Sequence, residues 1–238
     1  MGRRAVIVGG AKGIGRGLLD SMLGRGFSSV IVTARGEPGA LPPNAEFVAM
    51  DMLDDGSVKR GCQRIAEKMP AMDAIFMVAG MAGSKGPWNE ASADEMATVY
   101  RCNVIGPMLV AQHLMPNLEK GSDKLLVHVS TSFASIGDNS NGTSAPYRCS
   151  KAALNMWTKS LAVELQNRVK VLAYNPGVVV TELLGDFFQV SKEKLEEMGR
   201  AQNWKMPEQA GEDLCNVCLD EKRESGHFYS FDGSEIEW

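Results

Sequence analysis

The stretch RAVIVGGAKGIGRGLL, residues 4–19, decides the fold. Ala5–Val8 is a short apolar run bounded by glycine, which reads as a strand buried on both faces. Gly9-Gly10-Ala11-Lys12-Gly13-Ile14-Gly15 follows at once, and an amphipathic helix opens from about Ile14 to Leu23, ending near Gly24 and Gly26. The useful spacing is Gly9, Gly13 and Gly15. A side chain at these points would block a tight turn, the approach of a diphosphate, or helix–strand packing. The helix N-terminus then offers free N–H groups and the positive end of its dipole to an anion.

Working outward, apolar runs alternate with amphipathic stretches, the pattern of a parallel sheet covered by helices on both faces. Strands are expected at 29–33, 46–50, 74–79, 125–130, 169–174 and 227–231. Helices are expected at 54–68, 93–118 (interrupted near Gly106-Pro107), 145–166 and 207–219, with a short one around Lys192–Met198. That makes about seven strands and six helices, an α/β Rossmann-like doubly wound sheet in the order 3-2-1-4-5-6-7. Residues 1–238 read as one domain, and 177–206 as a variable segment over the substrate.

Composition sets the bounds. The net charge is −4 and the apolar fraction 44%, so nucleic acid is not the expected partner. No apolar run reaches the roughly 18 residues a membrane span needs. The start runs straight into a strand, leaving no room for a signal peptide, so a cytoplasmic protein with reduced thiols is expected. Cys215 and Cys218 form a CxxC, but no second ligand pair accompanies them; a buried helix face is the expected setting, with no metal. The three histidines, His113, His128 and His227, lie far from Tyr147 in sequence and read as structural.

Cofactor choice is read about twenty residues after the glycine turn. An acid at the end of the second strand would bind ribose hydroxyls and repel a 2′-phosphate. Here Thr33-Ala34-Arg35 offers a guanidinium fork, and Lys12 a second cation, which points to NADP(H). Glu37 is the nearby acid that would favour NAD. Asp51, ending the third strand, can accept from an adenine amino group or simply cap the next turn.

Tyr147-Arg148-Cys149-Ser150-Lys151 is a YxxxK, placed where a helix follows the fifth strand. Residues four apart share a helix face. A free phenol, with a pKa of about 10, exchanges protons poorly near neutrality. A neighbouring lysine ammonium favours tyrosinate, so Tyr147 reads as an acid/base and Lys151 as the group that tunes it.

Taken together, the glycine turn, Asn103, the hydroxyl cluster Ser130-Thr131-Ser132, YxxxK, and Asn175-Pro176-Gly177 with Thr181 resemble the short-chain dehydrogenase/reductase family, over essentially the whole chain. Ala134–Asn139, Ser150–Met156 and the closing Gly226…Trp238 are similar to the C-factor/sniffer-like carbonyl reductases within it. The resemblance implies that Asn103 holds a water in a proton relay to Lys151. It implies that a hydroxyl after the fifth strand binds the substrate oxygen, and that Gly9, Lys12, Gly13, Ile14, Gly15, Arg35, Asp51, Ala79, Gly80, Tyr147, Lys151, Pro176, Gly177 and Thr181 line the cofactor. It also implies a small, partly apolar carbonyl or alcohol as substrate and a homodimer or homotetramer.

Two departures stand out. The usual Ser-Ser pair becomes Thr131 at its second place, with Ser132 an alternative. The usual Asn-Asn-Ala-Gly becomes Met77-Val78-Ala79-Gly80. Phe187, Phe188, Met198 and Trp204 suggest either an apolar lid or local packing, and Phe133 and Trp88 are candidates for the same pocket wall. The Thr131 substitution leaves open a non-catalytic NADP(H)-binding regulator on the same fold. The cofactor geometry also allows a reductase of C=C or C=N bonds.

Overall fold

The computed structural model describes residues 2–238. Seven strands form one sheet: β1 (Arg4–Val8), β2 (Ser29–Ala34), β3 (Ala45–Ala49), β4 (Ala74–Met77), β5 (Leu125–Val129), β6 (Lys170–Asn175) and β7 (Phe228–Ser230). Their order is β3-β2-β1-β4-β5-β6-β7, as expected, and every pairing is parallel. Strand β1 shows why. Val6 and Val8 point into one apolar layer, Ala5 and Ile7 into the other, and all four are buried. A strand with two apolar faces is stable only when helices cover both.

Helices α1 (Gly13–Gly24) and α8 (Pro207–Cys218) cover one face. The other carries α2 (Asp55–Lys68), α4 (Gly106–Leu118) and α5 (Ala145–Leu165), with α3 (Ala93–Tyr100) against α5. Cys215 and Cys218 lie buried on α8, their thiols pushed up by burial, which makes them packing residues. Where α1 crosses α8 the backbones touch: a Cβ on Gly17 would run into the Pro207 carbonyl, and one on Gly211 into Gly17 itself.

The long helix expected over 93–118 is one continuous rod with a different defect. Its irregularity is a π-helical turn at Arg101–Ile105, and α4 begins regularly at Gly106 with Pro107 in its first turn. Proline at that position costs no hydrogen bond, because that N–H has no helical partner anyway. The wider π turn spends its irregularity on Asn103 instead.

Residues 177–206 hold two helices where one was expected: α6 (Glu182–Phe188) and α7 (Lys192–Gln202). Both are capped locally, α6 by Thr181 and α7 by Ser191. The segment is pinned at its two ends to itself, with Val180 N–H donating to the Lys205 carbonyl at 2.9 Å and Lys205 N–H to the Val178 carbonyl at 3.2 Å. No described helix is long and apolar enough to cross a membrane.

Candidate active site

The glycine turn leaves β1 and enters α1 under tight constraint. Gly9 has φ 89°, and a Cβ there would lie 2.6 Å from the Ala79 nitrogen. A Cβ on Gly15 would overlap the Gly9 carbonyl. The turn is tied to β2 by N–H groups of Gly9 and Gly10, which both donate to the Thr33 carbonyl, at 3.0 and 3.1 Å. Helix α1 has neither a side-chain cap nor a proline in its first turn. Its leading N–H groups, unlike those of α2, α3, α6 and α7, are left for something else. A diphosphate fits this cradle, since it needs backbone approach and N–H donors together.

Arg35 follows β2 and is exposed, with no carboxylate partner among the described residues. Lys12 is differently placed from the expectation of a free second cation: its ammonium pairs with Glu182 at the start of α6. The Thr181 methyl faces Gly13, 3.3 Å from where a Cβ would stand, while its hydroxyl caps α6. The segment after β6 thus lies across the glycine turn. Asp51 behaves as a turn residue, its carboxylate accepting from Leu53 N–H at 3.0 Å. Ile14 packs into the layer between α1 and the sheet.

Beyond β4, the Ala79-Gly80 stretch is braced from the side. Asn103, fully buried, accepts from Met81 N–H at 2.8 Å and donates to the Met81 carbonyl at 2.7 Å and the Ser150 hydroxyl at 2.9 Å. The amide brace that Met77-Val78 cannot give is therefore supplied by the π turn, from another element. Gly80 marks where the parts converge: a Cβ there would lie 3.4 Å from Asn103 Oδ1, 3.5 Å from Lys151 Nζ and 4.0 Å from Leu183 Cδ1.

Tyr147 and Lys151 sit on the first turns of α5. Lys151 is buried and donates to the Val129 carbonyl at 2.8 Å. Burial lowers its ammonium to about 8, so it keeps most of its charge near neutrality. Burial pushes the Tyr147 phenol up to about 12, opposite to the lowering expected from Lys151, and the nearby Thr131 hydroxyl works against the rise. Of the two candidate hydroxyls, Thr131 lies near the phenol and also accepts from Phe133 N–H at 3.3 Å. Ser132 contributes its backbone N–H, which donates to Asn175 Oδ1 at 3.2 Å.

Asn175 carries more than sequence reading gave it. The same Oδ1 accepts from Gly177 N–H at 3.2 Å, so one amide joins the ends of β5 and β6 and sets the Pro176-Gly177 turn. Its signal was the Asn-Pro-Gly triplet at a strand end, an Asx-type turn. His128, expected to be structural, is fully buried. It lies in β5, buried on the α5 side, where the Lys151 charge reaches it and burial lowers its ring to about 3.

Phe187, Phe188 and Trp204 are half-buried and form one cluster: Phe188 stacks on Trp204 at 5.8 Å, with Phe187 edge-on at 5.4 Å. Lys85, from the loop after β4, caps it 4.4 Å above Phe188. Trp88 is 78% exposed. Phe133 lies beneath Arg148. Among the described residues, no cluster of three or more metal-ligating side chains occurs.

An open-ended parallel sheet with a glycine cradle at one strand end and a tyrosine–lysine pair beside it defines a nucleotide-cofactor oxidoreductase site. Residues 3–191 match the family model of the short chain dehydrogenases, and the chain belongs to that family. Its relatives include an uncharacterized oxidoreductase of Schizosaccharomyces pombe, 29% identical over 97% of this chain and 96% of that one. The C-signal protein of Myxococcus xanthus is 28% identical over 70% of this chain and 93% of that one. The NADPH-bound carbonyl reductase from chicken fatty liver superposes with a TM-score of 0.84 over 100% of this chain and 99% of that one, at 22% identity, a likeness of fold.

Proposed function

We propose that this chain is an NADP(H)-dependent carbonyl reductase with Tyr147 as its proton donor. The convergence of Asn103 Oδ1 and Lys151 Nζ on Gly80, with Tyr147 one helical turn before Lys151 on α5, carries this reading. NADPH, when bound, supplies a hydride to the carbonyl carbon.

The rest is the work of the chain. The glycine turn and the uncapped start of α1 hold the diphosphate. Arg35 takes the 2′-phosphate through its fork, supported by its having no competing acid. Asp51 and the Ala79-Gly80 backbone line the adenosine and nicotinamide sides, with Pro176-Gly177 beyond. Thr131 donates to the substrate oxygen, holding it against the phenol. Tyr147 gives up its proton to the forming alkoxide; even a phenol raised to about 12 transfers its proton downhill to an alkoxide, a far stronger base. The Lys151 ammonium then stabilises the tyrosinate that remains. Asn103 keeps Gly80 and Ser150 in register, and its π turn can hold the water that returns a proton to Lys151. The α6–α7 segment forms an apolar lid, so the substrate is a small, partly apolar carbonyl compound in the cytoplasm.

The test is NADPH oxidation with a panel of aldehydes, ketones and quinones. Turnover in the native chain and its loss by about 10²-fold or more in Tyr147→Phe, with NADPH affinity kept, is the expected result. Tight NADPH binding without turnover on any carbonyl would instead make the chain a cofactor-binding regulator, the reading that its likeness to C-signal favours. For the cofactor, Arg35→Asp should weaken NADPH binding and favour NADH; an unchanged preference refutes the 2′-phosphate assignment.

A further inference from the structure

Residues 136–143, between the short turn that follows β5 and the start of α5, are all exposed. They form no regular element, and Asn139 and Asn141 fold them back on themselves through hydrogen bonds to Gly142 and Thr143. An exposed eight-residue span of this kind should be loose. Yet its two ends carry the chemistry: Thr131 and Ser132 on one side, Tyr147 on the other.

Arg148 bridges it. The side chain is 8% exposed, and each guanidinium nitrogen has its own acceptor. Nε donates to the Thr143 carbonyl at 2.7 Å, Nη1 to the Phe133 carbonyl at 3.1 Å, and Nη2 to Asn141 Oδ1 at 2.6 Å. The guanidinium plane also lies over the Phe133 ring, 4.1 Å from its centre. No carboxylate shares this charge among the described residues. A buried cation satisfied wholly by carbonyl dipoles and a ring face is costly to keep for packing alone. What the geometry gives in return is order: one planar fork fixes the start, the tip and the end of the loop relative to α5.

We propose that Arg148 is a positioning residue that holds residues 133–144 as a fixed wall over the substrate carbonyl and so sets substrate affinity. It acts through Phe133 and the adjoining Thr131–Ser132 backbone on one side, and through the first turn of α5 on the other. Lysine cannot replace it, because a single ammonium cannot reach three acceptors in a plane. The inference deepens the reductase reading and rests on it for its kinetic consequence, though not for its structural one.

The experiment compares the native chain with Arg148→Lys and Arg148→Met in two measurements. The first is the split between KM and kcat for a carbonyl substrate, with NADPH Kd measured alongside. The second is amide hydrogen exchange. We expect KM to rise by about tenfold or more in both variants, with NADPH Kd changed by less than about twofold. Faster exchange should be confined to peptides covering 133–144. Unchanged KM and unchanged loop exchange overturn the proposal. So does a loss spread over kcat, cofactor binding and exchange throughout the chain, since that is a general packing defect. If the native chain reduces no carbonyl, the reductase reading fails by itself. Exchange in 133–144 then decides the loop assignment alone, faster exchange there upholding it and unchanged exchange overturning it.

Discussion

His128 shows how much a single buried residue can fix. Thr158 Oγ1 donates to the Leu154 carbonyl at 2.7 Å, which uses its only proton. The contact of 2.9 Å between that oxygen and His128 Nδ1 must then have the ring as donor. A neutral ring with its proton on Nδ1 leaves Nε2 as a bare acceptor in the core, where it has no partner. Burial and the Lys151 charge hold the ring neutral, lowering it from 6.5 to about 3. In the unfolded chain the ring protonates at its ordinary value, so below 6.5 the unfolded state binds the extra proton. Stability from this group is therefore complete above pH 6.5 and is lost as pH falls from there toward 3. Melting temperature measured against pH should fall less steeply on the acid side in His128→Gln than in the native chain. Parallel curves would show that the ring does not govern acid unfolding.

At the scale of elements, the crossing of α1 and α8 sets the spacing of one whole helical layer. Glycine inside a helix ordinarily costs about 1 kcal/mol against alanine. At Gly24, where nothing lies within 4 Å of an added Cβ, Gly24→Ala should raise stability by about 0.5–1 kcal/mol. At Gly17 the same change drives a methyl into the Pro207 carbonyl and the Glu208 backbone, so overpacking outweighs propensity and costs about 1–3 kcal/mol. Denaturant midpoints of the two variants should shift in opposite directions; a shift of the same sign would mean that α8 simply moves away. The π turn makes the same point for function. An unbroken α-helix over 93–118 would change the phase of its two flanks and turn Asn103 to another azimuth, away from Met81 and Ser150.

For the whole molecule, the open question is what covers the outer side of α5. Met156 is 69% exposed and Val163 59%, seven residues apart and so on one face. Trp157, one position on from Met156, turns inward against His128, with ring centres 4.8 Å apart. Self-association through this face is the expected use, because burying such side chains is worth about 1.5–3 kcal/mol each. Light scattering should give the mass of a dimer or tetramer, and Val163→Glu a smaller species. A native monomer at micromolar concentration would remove the assembly from the account.

Much of this protein is written along the chain. The two-faced apolar run of β1, the glycine turn and the YxxxK spacing each depend on neighbours within about one helical turn, so the elements and the tyrosine–lysine pair could be read directly, and the sheet order followed from the doubly wound pattern they imply. What could not be read depends on partners far apart in sequence. Whether Thr131 or Ser132 meets the phenol is set by how the turn after β5 packs on α5. Lys12 loses its freedom to Glu182, 170 residues away. Asn103 becomes a brace, and Arg148 a three-way clamp, only once elements that are separate in the chain come within hydrogen-bond reach. Local pattern chooses elements, because its forces act over a few residues. The side-chain roles were decided by tertiary contact, since a polar group in the core takes whichever partner the fold places beside it.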